Sequence, residues 1–244
     1  SGSVGQIKIW GLSLAQMNAY SSKIPASVAA ENFQLIVQAG DLGSPLTEVL
    51  NGPIYRSFID LSSAPDSAFN VTMIDTYMAA TPVAAQSQAG PQNAEDRIAA
   101  LCVTAGLTFN NDAQAHAVLV NPSTYGSATD QIAKIASAAK FSWKVYGKTL
   151  FIWPNASPVD NIIMDVGPTT DPEMVGYPGY WEAGLVVTSL YNPQIQIGRR
   201  MRVASSIPRA NGVWDIVQVQ HDLTTMLAKG PWFTTAVLST NSVS

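Results

Sequence analysis

Residues 93–109, NAEDRIAALCVTAGLTF, and residues 127–143, SATDQIAKIASAAKFSW, decide how this chain is read. Ile98-Ala99-Ala100-Leu101 aligns with Ile132-Ala133-Lys134-Ile135, and Leu107-Thr108-Phe109 aligns with Phe141-Ser142-Trp143. One offset of 34 residues therefore holds through a helix and the strand after it. In the first copy Asn93 stands at an N-cap position and Glu95 and Asp96 occupy a first turn that favours acids. Ile98, Leu101, Cys102 and Ala105 form an apolar stripe, and Gly106 ends the helix. In the second copy the helix runs from about Ser127 to Lys140, with Ile132, Ile135, Ala136 and Ala139 as its stripe. Each helix precedes two strand-like runs, 107–110 and 115–120 in the first copy, 141–146 and 149–153 in the second. The pattern predicts an α-β-β-α-β-β domain with a four-stranded sheet, both helices on one face and pseudo-twofold symmetry. Phe109 and Trp143 are expected to be buried.

Outward from this core the chain turns to β character. On the N-terminal side, 6–10 alternates, with Ile7 and Ile9 on one face; Ser13 then caps a short amphipathic helix containing Leu14 and Met17. Strand-like runs follow at 32–39, at 46–59 with a break near Asn51-Gly52-Pro53, and at 68–78. Residues 80–92 shift to Ala, Gln, Pro and Gly, including Thr81-Pro82 and Gly90-Pro91, and mark a boundary. On the C-terminal side strands are expected at 161–166, 184–190, 194–204, 212–221 and 232–239. The aromatic, turn-rich run from Met174 to Tyr180 reads as an ordered loop. The fold class is α+β, mainly β: two β-barrel regions, 1–88 and 157–244, flank an α-β-β-α-β-β insert at 89–156.

Composition narrows the function. Of 244 residues only 12% are charged, against about 25% in an average soluble domain, while 47% are apolar and 9% aromatic. No apolar run reaches the ~20 residues of a membrane-spanning helix. A net charge of −4 argues against a protein that neutralises nucleic-acid phosphates along a basic face, and a single cysteine excludes a disulfide-stapled scaffold. Walker-type and dinucleotide-binding glycine loops are absent from the sequence.

The candidate chemical groups have ordinary structural readings. Gly11-Leu12-Ser13-Leu14-Ala15 lacks the second glycine of a nucleophile elbow, and capping accounts for Ser13. Adjacent strand residues point to opposite faces, which separates His221 from Asp222. His116 has no ligand at metal spacing, and Cys102 lies on an apolar helix stripe. Asp60, Asp66 and Asp75 are candidate carboxylates for glycan cleavage by proximity alone, with Asp66 reading as a turn residue after Pro65. No metal or cofactor is expected. The basic cluster Arg199-Arg200-Met201-Arg202 places Arg200 and Arg202 on one strand face; it is either a solvated face or an inter-subunit ion-pair strip.

Several blocks are more specific. Met174-Val175-Gly176-Tyr177-Pro178, then Leu190-Tyr191-Asn192-Pro193-Gln194-Ile195 with Gly198, then Gly212-Val213-Trp214 through Val217 to His221-Asp222-Leu223, and finally Gly230-Pro231-Trp232-Phe233-Thr234 occur in this order. With Gln6-Ile7-Lys8-Ile9-Trp10-Gly11-Leu12, Met17-Asn18, Ala39-Gly40-Asp41, Gly52-Pro53-Ile54-Tyr55 and Ser63-Ala64-Pro65-Asp66 at the front, the chain resembles the baseplate hub proteins of contractile-tailed phages. The resemblance covers nearly the whole chain, and no block in it is a catalytic signature.

It implies a homotrimeric ring of tail-tube-like barrels with peripheral α/β domains, between the tail tube above and the spike below. The lumen would pass the tape-measure protein and then DNA, with no specific nucleic-acid binding and no stable membrane association. It further implies assembly in the host cytoplasm, a place in the virion tail, and another strand or two before Gln6. Tyr177, Tyr180, Trp181, Arg199, Arg200, Arg202, Trp232 and Phe233 are the candidate subunit-interface residues. The alternatives are a tail-associated peptidoglycan or glycan hydrolase and a carbohydrate-binding module using exposed aromatics such as Tyr177, Tyr180 and Trp181.

Overall fold

Strict alternation in Val4–Trp10 (β1) puts Ile7 and Ile9 on the covered face of a sheet and Val4, Lys8 and Trp10 on the open face. The computed structural model describes residues 2–21, 33–40, 43, 45–62, 64–76, 79, 83–155, 157–182, 184–227 and 229–239. The expected features at Asn32, Asp41, Ser63, Met78 and Thr81-Pro82 lie outside these residues. By compactness the chain divides into one unit of residues 1–111 with 115–152 and another of 112–114 with 153–244.

In the first unit β1, Gln34–Ala39 (β2), Thr47–Asp60 (β3) and Ala68–Ile74 (β4) form an antiparallel sheet in the order β1-β4-β3-β2. The break expected near Asn51-Gly52-Pro53 is absent. β3 is continuous through 14 residues, but it changes partner there, pairing with β2 up to Pro53 and with β4 from Ile54 onward. Gly52 stands at the switch in close contact with β4 and the residue after it: a Cβ on it would lie 2.7 Å from the Met73 sulfur and 3.2 Å from the Asp75 Cα. Leu14–Tyr20 (α1) starts at a complete capping box, in which the Ser13 hydroxyl accepts from the Gln16 N–H and the Gln16 side chain accepts from the Ser13 N–H. Its Met17 joins Ile54, Phe69 and Val71 in a small core.

The repeat occupies the rest of this unit. Ala94–Thr104 (α2) and Ala128–Ala139 (α3) pack together, and Ile98, Leu101, Cys102, Ile132, Ile135 and Ala136 are all 0–1% exposed in one core. Both stripes read from the sequence are thus the buried faces, and Phe109 and Trp143 pack half-buried against them.

The expected four-stranded sheet is not formed. Gln86–Ser87 (β5) pairs with Ser123–Thr124 (β9), and Pro91–Asn93 (β6) pairs with the second expected strand, shortened to Val118–Val120 (β8). Thr108–Asn110 (β7), Phe141–Tyr146 (β10) and Thr149–Pro154 (β11) make a three-stranded sheet ordered β10-β11-β7, with β7 parallel to β11. The cause is the link between β7 and β8. Asn111 clasps Ala115 twice, accepting from its N–H at 2.7 Å and donating to its carbonyl at 2.9 Å. The chain is thereby turned away from a hairpin.

In the second unit Ile163–Val166 (β12), Gly179–Trp181 (β13), Gly184–Leu190 (β14), Arg200–Val203 (β15), Gly212–Leu223 (β16) and Trp232–Ser239 (β17) form a six-stranded sheet in the order β12-β15-β16-β17-β14-β13. The strand expected over 194–204 is shortened to β15, since Asn192 and Gly198 turn the residues before it. One face carries Val166, Leu185, Val187, Met201, Val203, Ile216, Ala236 and Leu238, and Met174 and Ile195 from loops join this core. A bulge in β16 between Ile216 and Gln218 reverses the alternation: Trp214 and Ile216 face the core before it, and Val219 and His221 face inward after it.

Candidate functional site: the surfaces of the six-stranded sheet

Among the described residues β13 and β12 are the two edges of the six-stranded sheet. The β13 edge is aromatic. Tyr180 pairs with Leu185 and Trp181 with Gly184, and both rings are more than half exposed; Tyr177, just ahead of the strand, is 74% exposed. The backbone beneath is firmly held, because Val175 N–H donates to Thr188 O at 2.8 Å and Met174 is buried. Gly184 lets the hairpin approach β17, since a Cβ there would lie 1.9 Å from the Leu238 carbonyl oxygen.

The arginines form a separate feature, and each has an aspartate within the chain. Arg202 Nη1 lies 2.8 Å from Asp165 on β12, and Arg200 Nε lies 3.1 Å from Asp215 on β16. Arg202 and Arg200 point away from the core face that holds Met201 and Val203, as strand alternation requires. Arg199 precedes β15. It is mostly covered and bonds Asp160 at 2.8 Å together with the carbonyl and side chain of Gln194. Arg199 therefore organises the 194–199 turn, while Arg200 and Arg202 lay an exposed ion-pair ladder across three strands.

Trp232 and Phe233 are half-buried at the start of β17. Trp232 packs edge-to-face on Tyr191 at 5.4 Å, and Tyr191 packs the same way on His221 at 5.3 Å. The eight candidates thus fall into three places. Phe233 pairs with Leu190, six residues along β14 from the Gly184 that pairs with Trp181, or roughly 20 Å. β15 stands four strand spacings from β13, roughly 19 Å.

The structure adds surface residues that the sequence reading did not single out. Ile162 and Ile163 are about two-fifths exposed at the β12 edge, and Val217, at the bulge in β16, is exposed on the outer face. Alternation carried some of the signal for another set on the first sheet: Lys8 lies over the Trp10 ring and Arg56 over the Phe58 ring, at 5.4 and 4.6 Å.

The titratable residues have distinct settings. His221 Nδ1 contacts Thr234 Oγ1 at 2.9 Å and its pKa is lowered, first by burial, while Asp222 accepts from Gln220. His116 pairs with Glu95. Burial pushes the Cys102 thiol up to about 11 and the Asp75 carboxyl up to about 6. Asp60 is held by the Ser62 hydroxyl and N–H, which lower its pKa, and lies 3.6 Å from Lys8; Asp66 is exposed in a turn. Among the described residues no three His, Cys, Asp or Glu side chains converge as a metal site, and no helix is long and apolar enough to cross a membrane.

The mainly β architecture with an inserted helix pair is a fold found in tail proteins. The chain is similar to a tail protein from Neisseria meningitidis MC58 with a TM-score of 0.61 at 10% identity, covering 85% of each chain. It is also similar to the 43 kDa tail protein of prophage MuSo2 from Shewanella oneidensis, with a TM-score of 0.56 at 10% identity over 97% of this chain and 88% of that one. In sequence, residues 11–236 match the family model for baseplate hub gp41, and the chain belongs to that family. No curated protein matches the chain in sequence.

Proposed function

We propose that this protein is a non-enzymatic structural subunit of a contractile phage tail, a homotrimeric baseplate hub. Its ring joins the tail tube above to the central spike below and leaves a lumen for the tape-measure protein and then DNA. Family membership over residues 11–236 carries this reading. The free edges of the six-stranded sheet support it physically. An exposed aromatic edge such as β13 is an aggregation hazard for a lone subunit and a ready pairing edge in a ring. Pairing β13 of one copy with β12 of the next is a head-to-tail contact that closes when the rotation permits. Residues 1–88 and 157–244 then supply tube-like barrels completed between subunits, and 89–156 the peripheral insert. Subunits assemble in the host cytoplasm before entering the virion, and a net charge of −4 helps DNA to pass without sticking.

Light scattering on the purified chain is expected to give three copies, and a tail reconstruction should place a threefold ring at the baseplate. A strictly monomeric chain that never enters tails would overturn the reading. The double substitution Tyr180→Lys with Trp181→Glu should abolish the oligomer while leaving far-UV circular dichroism unchanged.

The exposed trio Tyr177, Tyr180 and Trp181 favours one second reading, a carbohydrate-binding module. Saturable quenching of tryptophan fluorescence by cell-wall oligosaccharides, lost in Trp181→Ala, would select it. Release of reducing ends from purified cell wall that disappears in Asp66→Asn would instead show a glycan hydrolase.

A further inference from the structure

Arg97 lies on α2 only 5% exposed, yet no acid among the described residues forms an ion pair with it. Its Nη1 donates to Gln88 Oε1 at 3.2 Å and its Nη2 to the Gln86 carbonyl at 3.5 Å, both uncharged acceptors, and its Nε meets no acceptor. The acids nearest in sequence are engaged elsewhere. Asp96 accepts from Asn93 Nδ2 at 3.0 Å, and Glu95 is held by His116 and the Ala117 N–H.

A guanidinium taken out of water without a counter-charge is a costly arrangement, and an apolar side chain of similar volume would tie β5 to α2 without that cost. Arg97 also lines an open groove of about 490 Å³ bounded by Gln86, Ser87, Gln88, Gln92, Asn93 and Asp96. A covered cation thus lines a polar groove, and its Nε is buried beneath the surface without an acceptor.

We propose that this groove is a carboxylate-binding site that receives an acidic side chain or a chain end from another protein. The guanidinium fork matches a carboxylate in two parallel bonds. Asp96 on the groove wall disfavours a doubly charged phosphate, but it can accept the N–H of a peptide that carries a single carboxylate. The surrounding amides of Gln88, Gln92 and Asn93 offer donors and acceptors to such a backbone.

The test uses the ¹⁵N-labelled whole chain and follows the assigned Arg97 Nε–H resonance. It is titrated with N-acetylglutamate α-amide for a side-chain carboxylate, with N-acetylalanine for a chain end, with inorganic phosphate, and with N-acetylglutamine amide as the uncharged control, all at matched ionic strength. A saturable shift with one or both carboxylates, absent with the control, supports the site and tells the two sources apart. No shift with either carboxylate, an equal shift with the control, or tighter binding of phosphate than of both carboxylates overturns it. Arg97→Lys should weaken carboxylate binding at least tenfold, since the charge remains but the fork is lost. The titration of the wild-type resonance decides between these outcomes whether or not that variant folds.

Discussion

The two copies of the repeat bury the same helix stripe but differ at their caps and in the strands that follow. In the second copy Ser127 and Asp130 close a complete capping box on α3, and Gly147, at a φ of 60°, opens the two-residue link that returns β10 into β11. In the first copy Asn93 makes no side-chain cap bond, and α2 ends in a Schellman turn in which Leu107 N–H reaches Cys102 O and Gly106 N–H reaches Val103 O. The chain then runs through β7 and the Asn111–Ala115 clasp to a strand that pairs elsewhere. The helices share one core because their stripes match, while the strands part because the links differ. An internal repeat therefore fixes which faces are buried, and the connecting turn fixes which strands meet.

Substitutions can break this comparison, beginning with the shared core. Leu101→Ala and Ile135→Ala, both 0–1% exposed, should each cost about 3–4 kcal/mol by chemical denaturation, and near-equal losses are the mark of one core. Phe109→Ala and Trp143→Ala should cost less, about 2–3 kcal/mol, because both rings are half-buried. A negligible effect of either would mean that the two strands are not equivalent. Gly147→Ala should cost roughly 1 kcal/mol, since an L-residue is strained at positive φ, and should raise hydrogen exchange in β10 and β11 before β8.

The helix caps give smaller and more discriminating effects. Ser127→Ala is expected to cost about 1 kcal/mol and Asn93→Ala only a few tenths, because Ser127 alone bonds the first-turn N–H groups. Equal losses would remove the distinction between the copies.

The smallest expected effect depends on pH. Burial opposes ionisation of Glu95, but its own N–H, the His116 ring and the Ala117 N–H outweigh that and hold its pKa below the usual 4.5. A depressed carboxylate stabilises the fold above the unfolded value and loses that contribution as pH falls through the folded value. Glu95→Gln should therefore cost under about 1 kcal/mol at pH 7, given how exposed His116 is, and the gap should close below pH 4.5. A gap that persists at lower pH would assign it to packing.

Much of the β architecture was legible in particular residues. Gly184–Leu190 and Trp232–Ser239 have the bounds expected from their β character, and Ser13 caps α1 as expected. The short β13 was not legible, because Gly-Tyr-Trp carries no alternation and its strand state comes from pairing with β14. The eight interface candidates were identifiable as residue types but not as a site. Alternation gives the face of Arg200 and Arg202, but the distance from Arg202 to Trp181 depends on strand order, which a sequence read locally does not contain. The lone charge of Arg97 was equally hidden, since position 97 reads as one more polar helix residue until its surroundings are known.

The sequence by itself determined the helix stripes, the caps, the turn glycines and the balance of apolar over charged residues, because each depends on neighbours within a few positions. Only the tertiary structure decided that β7 lies beside β11, that β8 leaves the sheet, that a bulge at Val217 turns His221 inward, and that Arg97 is buried without a counter-charge. The physical reason is the same in each case. Strand pairing and burial join residues tens of positions apart, and their free energy belongs to the contact between segments rather than to either segment alone.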